Sequence, residues 1–172
     1  MGPPQKRVAG NSDQIGKAFE SVFQWACRNS SCAVTRIPDG CKVVGYSRKL
    51  VRVRSPFDWI VSGNRGGQPV TVLCDTKTTA GDSFAYSKID QDQVAELRKH
   101  EANGILAGYV IEFRALRSVY WFPAISLMAC QGRGSLKPAG IQLGSSAAFD
   151  VRRIFTPTHH TADAHAPGRI LG

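Results

Sequence analysis

Pro69-Val-Thr-Val-Leu-Cys-Asp-Thr-Lys77 is an apolar, β-branched run that ends in a carboxylate and an amine. Val, Thr and Leu in this density predict a strand over Val70–Lys77. On a strand, residues two apart share a face, so Asp75 and Lys77 point the same way and Cys74 points into the core. Upstream, Ser55-Pro-Phe-Asp-Trp-Ile-Val61 predicts a second strand over Phe57–Ser62 and carries Asp58. Paired strands would bring Asp58 to the Asp75–Lys77 face. Two carboxylates can hold a hard divalent cation, and a lysine can position or deprotonate a water. That is the minimum equipment for metal-dependent hydrolysis of a phosphodiester.

Outward from this pair, the chain reads as a small α/β domain. Asn11 and Gln14 form a capping-box pattern, and Ile15, Phe19, Val22, Phe23 and Ala26 keep helical spacing to about Asn29. A short strand over Cys32–Ile37 precedes the turn signal Pro38-Asp-Gly40. Lys42–Tyr46 and Lys49–Arg54 alternate as a hairpin or extended arm. Gly63-Asn-Arg-Gly-Gly67 reads as a loop and Gly81–Tyr86 as irregular. A helix is expected over Ile89–Asn103, ended by Gly104. Ile105–Phe113 is almost wholly apolar, as suits the centre of a sheet. A strand over Val119–Phe122 and a short helix from Pro123 to about Cys130 follow. Order is expected to weaken after Pro138. The expected divisions are a flexible basic arm over 1–10, one domain over 11–155 and a disordered tail over 156–172.

Composition narrows the function. The chain has 172 residues and a net charge of +9, which suggests a polyanionic partner, most simply nucleic acid. Its hydrophobic content of 42% is ordinary for one globular domain with a core of its own. No run approaches the length of a membrane span, and the N-terminus has no apolar signal region. Five cysteines, odd in number and without C-x-x-C spacing, read as reduced thiols of a cytosolic protein. His159, His160, Asp163 and His165 could ligate metal, but their Thr-Pro and Ala-Pro-Gly surroundings read as disorder. Trp59 and Trp121 read as packing residues.

The order Glu20 on the first helix, Pro56-Phe-Asp58 and Asp75-Thr-Lys77 resembles the PD-(D/E)xK nuclease superfamily. Within it the chain resembles Holliday junction resolvases of the RecU type. The residues that carry this are Gly16-Lys-Ala-Phe-Glu20, Asp58, Asp75-Thr-Lys-Thr-Thr79, Ser83-Phe84 and Gln93, over about Gly16–Trp121. Phe57 separates Pro56 from Asp58, and aspartate stands at 75 where many members have glutamate. The resemblance implies a restriction-endonuclease-like mixed sheet flanked by helices, with a projecting basic hairpin or stalk. It implies a homodimer that resolves four-way DNA junctions by paired symmetric nicks, since a two-fold junction matches a two-fold dimer. It implies Mg²⁺, with Mn²⁺ as substitute, held by Asp58, Asp75, the carbonyl of Thr76 and Glu20. Lys77 would orient or deprotonate the attacking water, and Gln93 would position water or phosphate.

Between residues 36 and 54 lie Arg36, Lys42, Arg48, Lys49, Arg52 and Arg54 against a single acid, Asp39. This run occupies the position of the RecU-type stalk and is expected to contact DNA phosphates. Two other functions suit the same residues. One is a repair or restriction-type nuclease of the same superfamily. The other is a junction-binding protein without catalysis. Compact size suits a bacterial or phage protein of the cytoplasm.

Overall fold

The computed structural model describes residues 12–44, 49–53 and 55–156, with backbone alone for residues 12, 41–44 and 49–53. The basic arm over 1–10, Asn11 of the capping pattern, Arg48, Arg54 and the histidine tail lie outside the described residues. Helix α1 (Ser12–Asn29) is followed by β1 (Ala33–Arg36), the hairpin β2 (Gly40–Val44) and β3 (Lys49–Val53), then β4 (Trp59–Arg65) and β5 (Gln68–Thr79). Next come β6 (Phe84–Ala85), α2 (Gln91–Ala102), β7 (Leu106–Phe113), β8 (Ser118–Pro123) and α3 (Ala124–Leu127). The last elements are β9 (Ser135–Leu136), β10 (Ile141–Ser145), β11 (Ala148–Phe149) and a 3-10 turn over Val151–Phe155.

Seven strands form one mixed sheet in the order β1-β4-β5-β7-β8-β10-β11. Among the described strands only β5 and β7 pair in parallel, with Asp75 opposite Tyr109 and Lys77 opposite Ile111. A parallel pair needs a crossover, and α2 supplies it. Alternation along β5 and β7 then sorts the core onto two faces. Val72, Cys74, Trp59, Val61 and Val110 pack with Phe19, Phe23, Ala26 and Cys27 of α1. Leu73, Tyr109, Ile111 and Phe113 pack with Val94 and Leu97 of α2 and with Ala124 and Leu127 of α3. Asp75 and Lys77 share the parity of Leu73, so they lie on the α2 side.

The periodic helices and the central strand agree with the sequence expectations, and Cys74, Trp59 and Trp121 are buried in the core. Three expectations change. Residues 63–65 are strand, because β4 runs on to Arg65 and pairs with Gln68 across a two-residue turn. Gly66 and Gly67 supply the positive φ angles (57° and 88°) that such a tight hairpin needs. Residues 81–86 contain β6, which pairs with β9. Order also persists beyond Pro138: Leu143, Phe149, Val151, Ile154 and Phe155 are buried on the α1 face. A Cβ on Gly63 would fall 2.3 Å from the Phe155 ring, so the closing segment seats directly on β4. The signal was weak because these apolar residues are spread among short elements with no sustained period.

The hairpin β2–β3 is a separate two-stranded sheet in which Lys42 pairs with Val51, Cys41 with Arg52 and Val44 with Lys49. This places Lys42, Lys49 and Arg52 on one hairpin outside the main sheet. The described cysteines, Cys27, Cys32, Cys74 and Cys130, are free. Among the described residues, no helix is long and apolar enough to cross a membrane.

Candidate active site

Asp58 immediately precedes β4, and backbone hydrogen bonds pin it from both sides. Its N–H donates to the Cys74 carbonyl at 3.1 Å, and its own carbonyl accepts from Ile37 N–H at 2.8 Å. The residue is thus held between the end of β1 and the middle of β5, which sets its carboxylate beside that of Asp75. Burial first, then a side-chain hydrogen bond with Asp75 and then the Asp75 charge, push Asp58 up to about 8 despite the opposing Lys77 ammonium. Without a cation, Asp58 holds its proton well above the ordinary carboxylate range.

Asp75 is fully buried. Its Oδ2 takes a close ion pair from the Lys77 ammonium, whose side chain is 25% exposed. Its Oδ1 is buried with no permanent donor on it among the described residues, and the group that bonds to this carboxylate in the metal-free protein is the protonated Asp58. A buried carboxylate oxygen without a permanent donor is costly unless a proton or a cation completes it. A hard divalent cation suits these donors in chemistry, because carboxylate and carbonyl oxygens are its preferred ligands.

Lys77 extends over the ring of Tyr109, its Nζ 5.4 Å from the centroid. The Tyr109 hydroxyl donates to Gln93 Oε1 at 3.1 Å, and Gln93 is only 5% exposed. The backbone N–H of Gln93 donates to Asp90 Oδ1 at 3.2 Å, the N-terminal cap of α2. On the other face, the Trp59 indole donates to Thr76 Oγ1 at 3.3 Å and steadies the residue between Asp75 and Lys77.

The structure therefore brings Asp58, Asp75 and Lys77 together, with Gln93 joined to them through Tyr109. Glu20 lies on α1 and pairs with Arg36 at 3.0 Å. It is near enough to Asp58 for its charge to add to that residue's rise. Arg36, whose side chain is 56% exposed, also lies 5.8 Å from the Trp59 ring centre. Among the described residues, no three His, Cys, Asp or Glu side chains are gathered to hold a metal ion. The donors at hand are two carboxylates and the backbone. Beside them, a cleft of ≈ 370 Å³ is lined by Ser55, Pro56, Asp90, Asp92, Gln93 and Glu96.

Sequence reading missed Tyr109 and the Glu20–Arg36 pair. Tyr109 was concealed in an apolar strand, although a buried phenol calls for a polar partner. The Glu20–Arg36 pair joins a helix to a strand, and no local spacing encodes it.

No family model matches the chain, and no curated protein matches it significantly. A solved structure of Hjc, a Holliday junction resolvase from the archaeal hyperthermophile Archaeoglobus fulgidus, is similar in fold. It is 17% identical with a TM-score of 0.50, and the match covers 74% of this chain and 95% of that one. The mixed sheet and its flanking helices thus form a restriction-endonuclease-like α/β fold, as the motif order implied.

Proposed function

We propose that this protein is a metal-dependent endonuclease that cuts four-way DNA junctions by paired symmetric nicks, acting as a homodimer. The observation that carries the reading is Asp75: a fully buried carboxylate with no permanent donor on one oxygen and Lys77 on the other, set against the raised Asp58. Buried, closely spaced carboxylates beside a lysine are what a cation site requires. The fold shared with Hjc and the net charge of +9 support a DNA substrate. The order of residues, similar to RecU-type resolvases, supports a branched one.

Asp58 and Asp75, with the Thr76 carbonyl, would hold Mg²⁺ or Mn²⁺. Such a cation supplies charge neutralisation at the scissile phosphate and acidifies the attacking water. Lys77, as an ammonium, orients that water and offsets negative charge developing at the phosphate. Gln93 donates its amide N–H groups to water or phosphate. Glu20 joins the donors only if Arg36 releases it, and DNA phosphate is a natural competitor for Arg36. Lys42, Arg48, Lys49, Arg52 and Arg54 supply phosphate contacts from the hairpin region. The setting is the cytoplasm of a bacterium or of a phage-infected cell.

The test is incubation of the protein with a synthetic four-way junction and a linear duplex, with Mg²⁺ or with EDTA. Symmetric Mg²⁺-dependent nicks in the junction alone are the expected outcome. Cutting of both substrates would make it a general nuclease, and retardation without cutting a junction-binding protein.

A further inference from the structure

Tyr109 touches two members of the site through different parts of one side chain. It is fully buried in β7 and stands opposite Asp75 in the parallel register with β5. Its ring lies 5.4 Å from the Lys77 ammonium, and its hydroxyl donates to Gln93 Oε1 at 3.1 Å. A lysine held only by an adjacent carboxylate can swing on four methylenes, whereas a ring beneath the ammonium limits that freedom. An amide bound through its oxygen has a settled orientation that leaves its N–H₂ end to donate elsewhere. Gln93 is also held at its backbone by Asp90, so Tyr109 fixes the one part of it still free to turn.

We propose that Tyr109 is a positioning residue of the nuclease site. Its ring sets the Lys77 ammonium and its hydroxyl sets the Gln93 amide, so one buried side chain on β7 fixes the water-handling groups of β5 and α2 relative to each other. The inference rests on the nuclease reading and adds to it how Lys77 and Gln93 are kept in register.

Two substitutions separate the two arms. Tyr109→Phe keeps the ring and removes the hydroxyl, while Tyr109→Leu removes both. Single-turnover cleavage of the junction is measured at saturating protein with Mg²⁺, and junction affinity is measured in EDTA. Tyr109→Phe is expected to slow cleavage about five- to tenfold, the worth of one neutral hydrogen bond. Tyr109→Leu is expected to slow it about a hundredfold. Junction affinity should stay unchanged in both. The double variant Tyr109→Phe/Gln93→Ala should be no slower than Gln93→Ala alone, because the hydroxyl acts through that amide. A second readout needs neither metal nor DNA: the Gln93 side-chain amide resonance, assigned by its loss in Gln93→Ala, should move in Tyr109→Phe. Wild-type cleavage by Tyr109→Phe, an unmoved Gln93 resonance, or losses that multiply in the double variant each overturn the inference while leaving the nuclease reading intact. A lowered melting temperature with an unchanged rate per folded molecule also overturns it, since Tyr109 would then be a core residue alone. A wild-type protein that cuts no DNA overturns the nuclease reading and this inference with it.

Discussion

Asp58→Asn is expected to stabilise the metal-free protein at pH 8 and leave it unchanged near pH 4. Asp58 titrates near 3.8 in the unfolded chain and is pushed up to about 8 in the fold by burial and by Asp75. The native state therefore binds the extra proton. A raised carboxyl leaves stability intact below the unfolded value and erodes it as pH rises toward the folded one. The loss builds between pH 4 and 8 and levels off above. Lifting a fully buried group that far corresponds to about 6 kcal/mol. Asp58 is partly open to solvent, and screening reduces this to about 2–3 kcal/mol. Asparagine keeps the size without the charge, so that amount should be recovered at pH 8, raising the melting temperature by about 5–10 °C. The assay is urea unfolding in EDTA at pH steps from 4.5 to 8.5, comparing variant with wild type. Mn²⁺ added to wild type at pH 8 should recover stability, because a cation replaces the proton, and Asp58→Asn should respond far less. A difference between variant and wild type that is the same at every pH would refute the reasoning, and Asp58 would then be an ordinary solvated carboxylate.

Lys77→Ala is expected to abolish most cleavage while Mn²⁺ binding persists in calorimetric titration, since the ammonium competes for Asp75 Oδ2 instead of building the cation site; loss of binding in a folded variant would contradict this. Serine at Arg48, Lys49, Arg52 and Arg54 should lower the slope of log affinity against log salt by up to about four, at roughly 0.9 per phosphate contact, and shrink the junction-to-duplex affinity ratio. An unchanged ratio in gel retardation would place selectivity elsewhere. Gly63→Ala should destabilise by about 1–3 kcal/mol in urea unfolding, because its Cβ would sit 2.3 Å from the buried Phe155 ring; a neutral effect would show that the closing segment yields easily.

Period and alternation carried much of this protein in its sequence. Phe19, Phe23 and Ala26 recur at helical spacing and face the sheet in α1. The β-branched run to Lys77 is a strand, and its parity alone separates Cys74 in one core from Asp75 and Lys77 on the other face. These features were legible because they depend on residues a few positions apart, where backbone geometry dictates which side chains share a face. Asp58 was legible as a candidate, yet its place beside Asp75 depends on hydrogen bonds to both Ile37 and Cys74. Other features were decided by contacts between distant segments. Glu20 pairs with Arg36 because α1 lies against the β1 side of the sheet. Leu143, Phe149, Val151, Ile154 and Phe155 bury their apolar surface against residues of α1 and β4 that lie far away in sequence. Tyr109 meets Lys77 and Gln93 because β7 lies parallel to β5 and α2 returns over both. Periodicity assigns each side chain a face, but its partner is settled by which distant segment can bury it most favourably, and that choice is made only in the tertiary fold.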